Sequence, residues 1–393
     1  MSSHRFIRSC IAVAATTLIA ACGGGDDAPD TTAQGGVRQT NLVANKASYQ
    51  PLIVEPALVN AWGIAIRPAG QGGHFWIGSN TAQSLEYVGD VGGKPLFQDE
   101  LTTVATRGLT TGIAFNPGTH FPITQSHPAG DIVAPAKFVF ANVTGTLTAW
   151  TERARAGGGF DRSLDSEVVV DGTAGHSAFV GVAFSPAGDR MFAADFGAQP
   201  GVRVYDDAFV ESGLLADPFA PAAGPAAPDG FAPFNVQTVG QSVFVMYGRH
   251  VAPNAPPPKE GRLAEFDGEG HLLHVWQDKG KLNYPWGIAL APANFGEYGG
   301  CLLIGNFGDG TLVAFDPRTR EAIDQVRDAQ GKPVVIDGLW GLQFGNGASL
   351  GEADDLYFAA GPNKETDGLF GKLEAVAAVA LPAGATPKPA LCR

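Results

Sequence analysis

Charged residues are scarce in this 393-residue chain, in which Asp, Glu, Lys and Arg together make up 17%. A fold built of surface helices needs more Lys and Glu than this, so the composition argues against an all-helical protein. Positively charged residues are fewer than negatively charged ones: the chain has 26 Lys and Arg and 39 Asp and Glu, and its formal net charge is −13. A surface this acidic repels a phosphate backbone, which excludes nucleic acid as an expected partner.

The N-terminal apolar run is too short to span a membrane, which takes about 20 residues. It covers residues 10–21 and follows Arg5 and Arg8, an arrangement typical of a signal peptide, so residues 1–21 are predicted to be removed on export. The sequence LIAAC at residues 18–22 resembles the bacterial lipobox and predicts lipidation of Cys22. Cleavage near an unmodified cysteine is the alternative.

Residues 22–38 open with a run of glycines and are predicted to form a flexible tether. Residue 23 is Gly and not Asp. The resemblance to enterobacterial lipoprotein sorting then implies the outer membrane in preference to the inner one. We therefore expect a protein lipid-anchored to the bacterial cell envelope, with its folded part in the periplasm or at the cell surface. Loss of Arg5 and Arg8 with the signal peptide changes the net charge from −13 to −15.

Cysteine is rare as well, with four residues in the chain. Cys10 lies in the predicted signal peptide and Cys22 at the predicted lipidation site, which leaves Cys301 and Cys392. In an oxidising compartment these two could form a disulfide. The alternative is a buried Cys301 with a free thiol at Cys392, and the sequence leaves both open.

Glycine (53 residues) and proline (28 residues) are abundant and indicate short strands joined by tight turns. Six similar apolar runs recur at intervals of 49 to 69 residues. In the first run Trp62, Ile64 and Ile66 alternate with Gly63 and Ala65, and this period of two predicts a strand. The six runs are residues 62–66, 111–115, 180–184, 234–238, 286–290 and 340–344.

A β-rich repeat of about 50 residues is typical of a β-propeller in which each copy forms one four-stranded blade. The sequence therefore predicts an all-β fold: a six-bladed propeller of antiparallel blades over residues 39–379, followed by a tail at 380–393. Residues 40–43 precede the first blade and have no blade of their own. They are predicted to be the outer strand of the sixth blade, which closes the ring. We expect a monomer.

Three insertions interrupt the repeat and are predicted to be long loops. They are residues 116–137, 212–231 and 249–261. Long loops on a rigid scaffold often carry binding specificity.

Across residues 39–376 the chain resembles an uncharacterised family of exported bacterial six-bladed propeller proteins, distantly similar to NHL-repeat and gluconolactonase-like propellers. The matching segments are residues 41–43, 58–65, 231–236, 285–292, 305–310 and 336–341. The resemblance implies the fold and export but no established activity. The glutamate that lactonase-like sites place near the first blade has no evident match, because Glu55, the nearby candidate, is followed by Pro56.

Two sets of polar residues are predicted to meet at the mouth of the propeller channel. The first set ends the second strands and comprises Asn80, Asn142, Asp195, Asn306 and Asn363. The second set leads into the first strands and comprises Asn60, His176, Asn235, Asn283 and Asp337, accompanied by Trp62, Trp286 and Trp340. Together they form the candidate ligand-binding residues.

Oxygen-rich side chains suit Ca²⁺ or another divalent cation, and gluconolactonase-like propellers hold such an ion at this place. Asn80, Asn142, Asp195 and Asn306 are the candidate ligands. Asn and Asp before Gly are also favoured at strand ends by turn geometry alone, so a structural role is the alternative. The three tryptophans either fill the mouth or stack on a ligand.

The sequence supplies a rigid acidic ring and variable loops but no catalytic constellation. It therefore favours a binding or scaffold module of the cell envelope, with an envelope protein, a small molecule or a glycan as partner. The alternative is a metal-dependent hydrolase of lactone-like substrates that uses the polar mouth.

Overall fold

The structure is a computed structural model that describes residues 35–220, 230–250, 259–376 and 391–392. The predicted signal peptide, the lipidation site Cys22 and residues 22–34 of the predicted tether lie outside the described residues. The first described elements are strand β1 (Gly36–Ala44), a 3₁₀ helix (Ala47–Tyr49) and the short strand β2 (Ile53–Val54). Strand β1 thus begins within the segment that the sequence analysis assigned to the tether.

Six sheets follow around a ring, each with its first strand innermost. Blade one consists of β3 (Ile64–Ala65), β4 (Phe75–Ser79), β5 (Gln83–Tyr87) and β6 (Thr103–Ala105). Blade two consists of β7 (Thr110–Phe115), β10 (Phe138–Asn142), β11 (Thr146–Trp150) and β14 (Glu167–Asp171), with two hairpins between them, β8 (Pro122–Gln125) with β9 (Ile132–Pro135) and β12 (Glu152–Ala154) with β13 (Phe160–Arg162).

The remaining blades continue the same order. A 3₁₀ helix (Thr173–Gly175) precedes blade three, which consists of β15 (Phe179–Phe184), β16 (Met191–Asp195), β17 (Gly201–Tyr205) and β18 (Glu211–Leu214). Blade four consists of β19 (Phe231–Val239), β20 (Ser242–Arg249), β21 (Arg262–Phe266) and β22 (Leu272–Val275). Blade five consists of β23 (Pro285–Leu290), β24 (Leu302–Asn306), β25 (Leu312–Asp316) and β26 (Glu321–Gln325), with a 3₁₀ helix at Gly296–Tyr298. Blade six contains β27 (Leu339–Phe344), β28 (Asp355–Ala360) and β29 (Leu369–Val376).

The N-terminal strand completes blade six, as predicted. β1 pairs antiparallel with β29, from Gly36 opposite Val376 to Ala44 opposite Leu369. Leu42 and Val43 on β1 are buried, and β2 adds a short parallel strand outside it. The six-bladed fold and its closure by an N-terminal outer strand are therefore confirmed.

Small residues on the innermost strands let neighbouring blades approach closely at the centre of the ring. A Cβ atom on Gly63 would lie 2.6 Å from the carbonyl oxygen of Thr111 in the next blade. A Cβ on Gly287 would lie 2.4 Å from the carbonyl oxygen of Trp340. These contacts explain the small residue that follows the first position of most opening runs.

Within the described residues, two of the three inserted segments contain strands that the sequence analysis did not predict. The loop predicted at 116–137 contains the β8–β9 hairpin, and β18 occupies residues that the sequence analysis placed in the 212–231 insertion. The β12–β13 hairpin was not predicted at all. Residues 221–229, 251–258 and 377–390 lie outside the described residues.

Cys301 and Cys392 form a disulfide, with their Cα atoms 5.1 Å apart. Cys301 lies just before β24, so the bond joins residues 391–392 to blade five. Cys392 is buried among core residues that also include Phe295 and Tyr298. Of the two alternatives left open by the sequence, the structure favours the paired one.

Candidate functional site

One face of the ring, here called the upper face, carries the connections into the innermost strands and the turns between second and third strands. Backbone contacts join the two kinds of segment within a blade. In blade one the N–H of Asn80 donates to the carbonyl of Val59, and in blade three the N–H of Phe196 donates to that of Ala178. Both sets of predicted site residues therefore lie on this face.

The side chains that end the second strands are used within their own blades. Asn142 is fully buried and donates to the hydroxyl of Thr146 at 3.2 Å. Asn306 is fully buried, and its Oδ1 accepts the backbone N–H of Asn283 at 2.9 Å. These two amides stabilise turns, which is the alternative that the sequence analysis kept open.

Asp195 also stabilises a turn, but its side chain is a carboxylate and not an amide. Its Oδ1 accepts the backbone N–H groups of Ala178 and Gly197, and its Oδ2 contacts the guanidinium of Arg203 at 2.9 Å. Asn80 differs, because its buried Oδ1 has no hydrogen-bond partner among the described residues.

The predicted cation ligands thus belong to four different blades, and three of them are committed to local hydrogen bonds. Within the described parts of the chain, no group of three or more His, Cys, Asp and Glu side chains could hold a metal ion. The local hydrogen bonds of Asn142, Asp195 and Asn306 support the structural role that the sequence analysis gave as the alternative.

Among the residues that lead into the first strands, Asn235 connects neighbouring blades. Its amide donates to the carbonyl of Trp286 at 2.7 Å, and a Cβ on Gly181 would lie 2.0 Å from its Oδ1. Asn235 therefore joins the innermost strands of blades three, four and five. His176 is exposed in a left-handed conformation (φ 55°) after a 3₁₀ helix.

The three predicted tryptophans form one buried aromatic cluster with Phe234 and Phe307. The ring centroids of Trp62 and Trp340 are 4.1 Å apart, and those of Trp286 and Trp340 are 6.0 Å apart. Phe307 stacks on Trp340 with centroids 3.8 Å apart and planes 15° from parallel. The tryptophans fill the centre of the ring, and Phe307, half-buried, lies on the upper side of the cluster.

A cavity of about 330 Å³ opens above Phe307, between blades four, five and six. We call it the mouth pocket, and its lining residues are Lys259, Asn283, Tyr284, Phe307, Gly308, Asp337, Gly338, Gly361, Lys364 and Glu365. Two of the predicted site residues, Asn283 and Asp337, contribute to it. Asn283 donates to Asp309 Oδ2 at 2.9 Å, and Asp337 Oδ2 accepts the backbone N–H of Asn363 at 2.8 Å.

A hydrogen-bond chain runs from the aromatic cluster to the pocket. Trp340 donates its indole N–H to Asn60 Oδ1 at 2.9 Å, and Asn60 Nδ2 donates to Glu365 Oε2 at 2.9 Å. Asn60 is fully buried, so its amide orientation is set by the indole. Partial burial raises the pKa of Glu365 above its ordinary value, and the hydrogen bond from Asn60 opposes that rise.

The turn that carries Glu365 has an unusual backbone. Asn363, Lys364 and Glu365 are consecutive non-glycine residues with φ of 57°, 55° and 66°. Each left-handed residue costs about 1–2 kcal/mol, so surrounding contacts must hold the turn. The N–H of Glu365 donates to the carbonyl of Gly361 at 3.0 Å, and Asn363 Nδ2 donates to Thr366 Oγ1 at 2.8 Å. Strained turns of this kind often position functional groups.

Apart from glycines, sequence reasoning missed five pocket residues: Lys259, Tyr284, Phe307, Lys364 and Glu365. One signal was present, because the segment between the second and third strands covers residues 361–368 in blade six but only residues 80–82 in blade one. The larger turn carries Lys364 and Glu365 into the pocket.

A second cavity, of about 270 Å³, lies among the six innermost strands and opens on the opposite face. We call it the axial channel. Its lining residues include Ile66, Phe115, Phe184, Gln237 and Gln343, and none of them is charged. Trp286 lines its inner end, so the aromatic cluster separates the channel from the mouth pocket.

No protein-family model matches the chain. It is similar to two uncharacterised proteins of Acanthamoeba polyphaga mimivirus. One is 29% identical over 342 residues, covering 84% of this chain and 78% of the relative. The other is 28% identical over 331 residues, covering 81% of each.

Among solved structures, a luciferin-regenerating enzyme covers 86% of this chain and 95% of its own length, with 10% identity and a TM-score of 0.49. A glucose dehydrogenase covers 86% and 100%, with 14% identity and a TM-score of 0.47. At these values the likeness concerns the fold alone.

Within the described residues, no helix is long and apolar enough to cross a membrane.

Proposed function

We propose that this propeller is a ligand-binding module of the bacterial cell envelope, exported and lipid-anchored through Cys22, and that it takes a small molecule into the mouth pocket. The observation that carries the proposal is the composition of that pocket. It combines an aromatic floor with four charged side chains, Lys259, Asp337, Lys364 and Glu365, none of which forms an ion pair with another described residue.

The pocket has the properties expected of a small-molecule site. Its volume of about 330 Å³ falls within the range of ligand cavities, which begins at roughly 300 Å³. One face of the Phe307 ring stacks on Trp340, which fixes the ring in place. The other face lines the pocket and can contact an apolar part of a ligand. Glu365 is fixed by Asn60, so a polar group of the ligand would meet a carboxylate that is already in place.

The disulfide supports the export part of the proposal. Cys301 and Cys392 are paired, and disulfides persist in oxidising compartments such as the periplasm and the cell surface. The predicted signal peptide and lipobox are independent of this bond and lead to the same compartment.

Membrane fractionation tests the anchor. Wild-type protein is expected to stay in the membrane pellet through high-salt washing, because two acyl chains hold a protein firmly where one binds marginally. The Cys22→Ser variant should be soluble or uncleaved. Release of the wild-type protein by salt would contradict lipidation.

Ligand capture tests the pocket. The purified chain is dialysed against a pool of water-soluble small molecules from the cell envelope, and retained compounds are identified by mass spectrometry. We expect at least one compound to be retained by the wild type and lost in Lys364→Trp, whose indole would fill the pocket. Lys332→Trp, at an exposed lysine outside the pocket, is the matched control and should retain it. Retention of nothing, or equal retention by Lys364→Trp, would overturn the proposal.

A further inference from the structure

The charges around the mouth pocket are balanced. Lys259 and Lys364 supply two cations, and Asp337 and Glu365 supply two anions. The chain as a whole carries a net charge of −13, with cations clearly in the minority, so a pocket with equal numbers departs from the rest of the molecule.

Most of the other cations in the described residues have acidic partners. Arg107 contacts Asp165 at 2.8 Å, Arg203 contacts Asp195 at 2.9 Å and Lys372 contacts Asp355 at 2.8 Å. Neither lysine of the mouth pocket has such a contact among the described residues. Within the part of the chain that the structure describes, the two carboxylates are likewise without a cation, although Asp337 accepts a backbone N–H and Glu365 accepts the amide of Asn60.

Of these four groups, Glu365 has the carboxylate whose position is fixed most clearly by neighbouring residues. Its carboxylate lies at the end of the hydrogen-bond chain from Trp340 through Asn60. Gly361 has no side chain and so leaves space for the amide of Asn60. A Cβ on Gly361 would lie 1.9 Å from Asn60 Oδ1, so the arrangement requires glycine there. A fixed, partly desolvated carboxylate gains most from an ammonium group, because charge-assisted hydrogen bonds are about twice as strong as neutral ones.

From these observations we propose that the ligand is a zwitterion of the free amino acid type with an apolar side chain. The ammonium group would bind Glu365 and Asp337, the carboxylate would bind Lys364 and Lys259, and the side chain would lie on the ring of Phe307. Such a ligand satisfies all four unpaired charges and the aromatic floor at once. A ligand of one charge would leave the other two pocket charges without a counter-charge.

This inference rests on the proposed function and is tested by calorimetric titration with four probes. L-phenylalanine carries both charges, phenethylamine carries the ammonium alone, 3-phenylpropionate carries the carboxylate alone, and glucose is neutral. We expect L-phenylalanine to bind about tenfold or more tighter than either single-charge probe, since each charge-assisted hydrogen bond contributes roughly a factor of ten.

Charge-removing variants assign the two ends of the ligand. Glu365→Gln should reduce the affinity for L-phenylalanine about tenfold or more while leaving that for 3-phenylpropionate unchanged. Lys364→Gln should also reduce the affinity for L-phenylalanine about tenfold or more, while leaving the affinity for phenethylamine unchanged. Glu100→Gln and Lys332→Gln, at exposed positions outside the pocket, are the matched controls and should bind as the wild type does.

The outcomes separate this inference from the proposed function. Equal affinity for L-phenylalanine and a single-charge probe, or binding of glucose but not of L-phenylalanine, would overturn the zwitterion while leaving a small-molecule site in place. Failure of all four probes overturns the zwitterion as well, and the dialysis experiment then decides whether the pocket takes another compound.

Discussion

Asn60 and Trp340 are hydrogen-bonded across the junction of the first and last blades, with the indole N–H donating to the amide oxygen at 2.9 Å. The two residues are 280 positions apart, so the bond forms only when the ring is closed. The same amide donates to Glu365, which links closure of the ring to the geometry of the mouth pocket.

Replacing Asn60 by Ala is expected to lower the free energy of unfolding by about 1–3 kcal/mol, because the buried indole N–H of Trp340 loses its acceptor. Denaturant unfolding followed by tryptophan fluorescence measures the change. Asn80→Ala is the matched control on the same face of blade one, since the Oδ1 of Asn80 has no partner to lose. Equal loss in both variants would show that the hydrogen-bond chain adds nothing to stability.

Deleting β1, residues 36–44, should destabilise the propeller by several kcal/mol. The ladder with β29 is lost, at about 1 kcal/mol for each hydrogen bond, together with the burial of Leu42 and Val43. Deleting residues 26–34, a segment of equal length that leaves β1 intact, should change the melting temperature little. Equal melting temperatures for the two truncations would mean that β1 does not close the ring.

Loss of the disulfide should lower the free energy of unfolding by about 2–4 kcal/mol, because the bond closes a long loop in the unfolded chain. The two cysteines are 91 positions apart. Thermal melts of wild type and Cys392→Ser are compared with and without reductant. Reductant should lower the melting temperature of the wild type to that of the variant and leave the variant unchanged. A wild-type melt that is insensitive to reductant would contradict the pairing.

Glu86 on β5 predicts a pH dependence of stability. Its side chain is fully buried, and neither carboxyl oxygen has a well-formed hydrogen bond to a described residue. Burial raises its pKa well above the ordinary value of 4.5, and the nearby Ser84 hydroxyl opposes that rise only in part. The folded protein therefore holds a proton that the unfolded chain releases above about pH 4.5. As a result, the free energy of unfolding should fall as the pH rises from about 4.5 toward the pKa of Glu86 in the folded state.

The Glu86→Gln variant removes that proton uptake and should be more stable than the wild type at neutral pH, with the difference shrinking as the pH falls toward 4. Urea unfolding at a series of pH values measures it. Glu100→Gln, at an exposed position, is the control and should follow the wild type. A pH-independent difference between Glu86→Gln and the wild type would show that Glu86 is not the group responsible.

Much of the fold could be predicted from the sequence because the blade repeat imposes a period of two on every inner strand. The innermost strands Phe179–Phe184, Pro285–Leu290 and Leu339–Phe344 each begin one residue before the predicted runs at 180–184, 286–290 and 340–344 and end where those runs end. The β12–β13 hairpin could not be predicted in the same way, since it is short, polar and outside the repeat. The outer strand β18 was missed because its residues are exposed and carry no apolar alternation.

The site was predictable only in part. Of the candidate residues, Asn283 and Asp337 line the mouth pocket, whereas Asn142 stabilises a turn. Glu365 could not be found by pattern, because its placement depends on a contact with Asn60, 305 positions away. Phe307 looked like an ordinary residue after a strand, and its role follows only from its stacking on Trp340.

The central claim is that the mouth pocket, and not the axial channel, is where the ligand binds. Hydrogen–deuterium exchange with and without saturating L-phenylalanine tests it most directly, because the aromatic cluster separates the two cavities. We expect protection of the backbone around residues 283–284, 307–308 and 361–365. Protection confined to residues 64–66, 113–117 and 182–186 of the axial channel would contradict the claim.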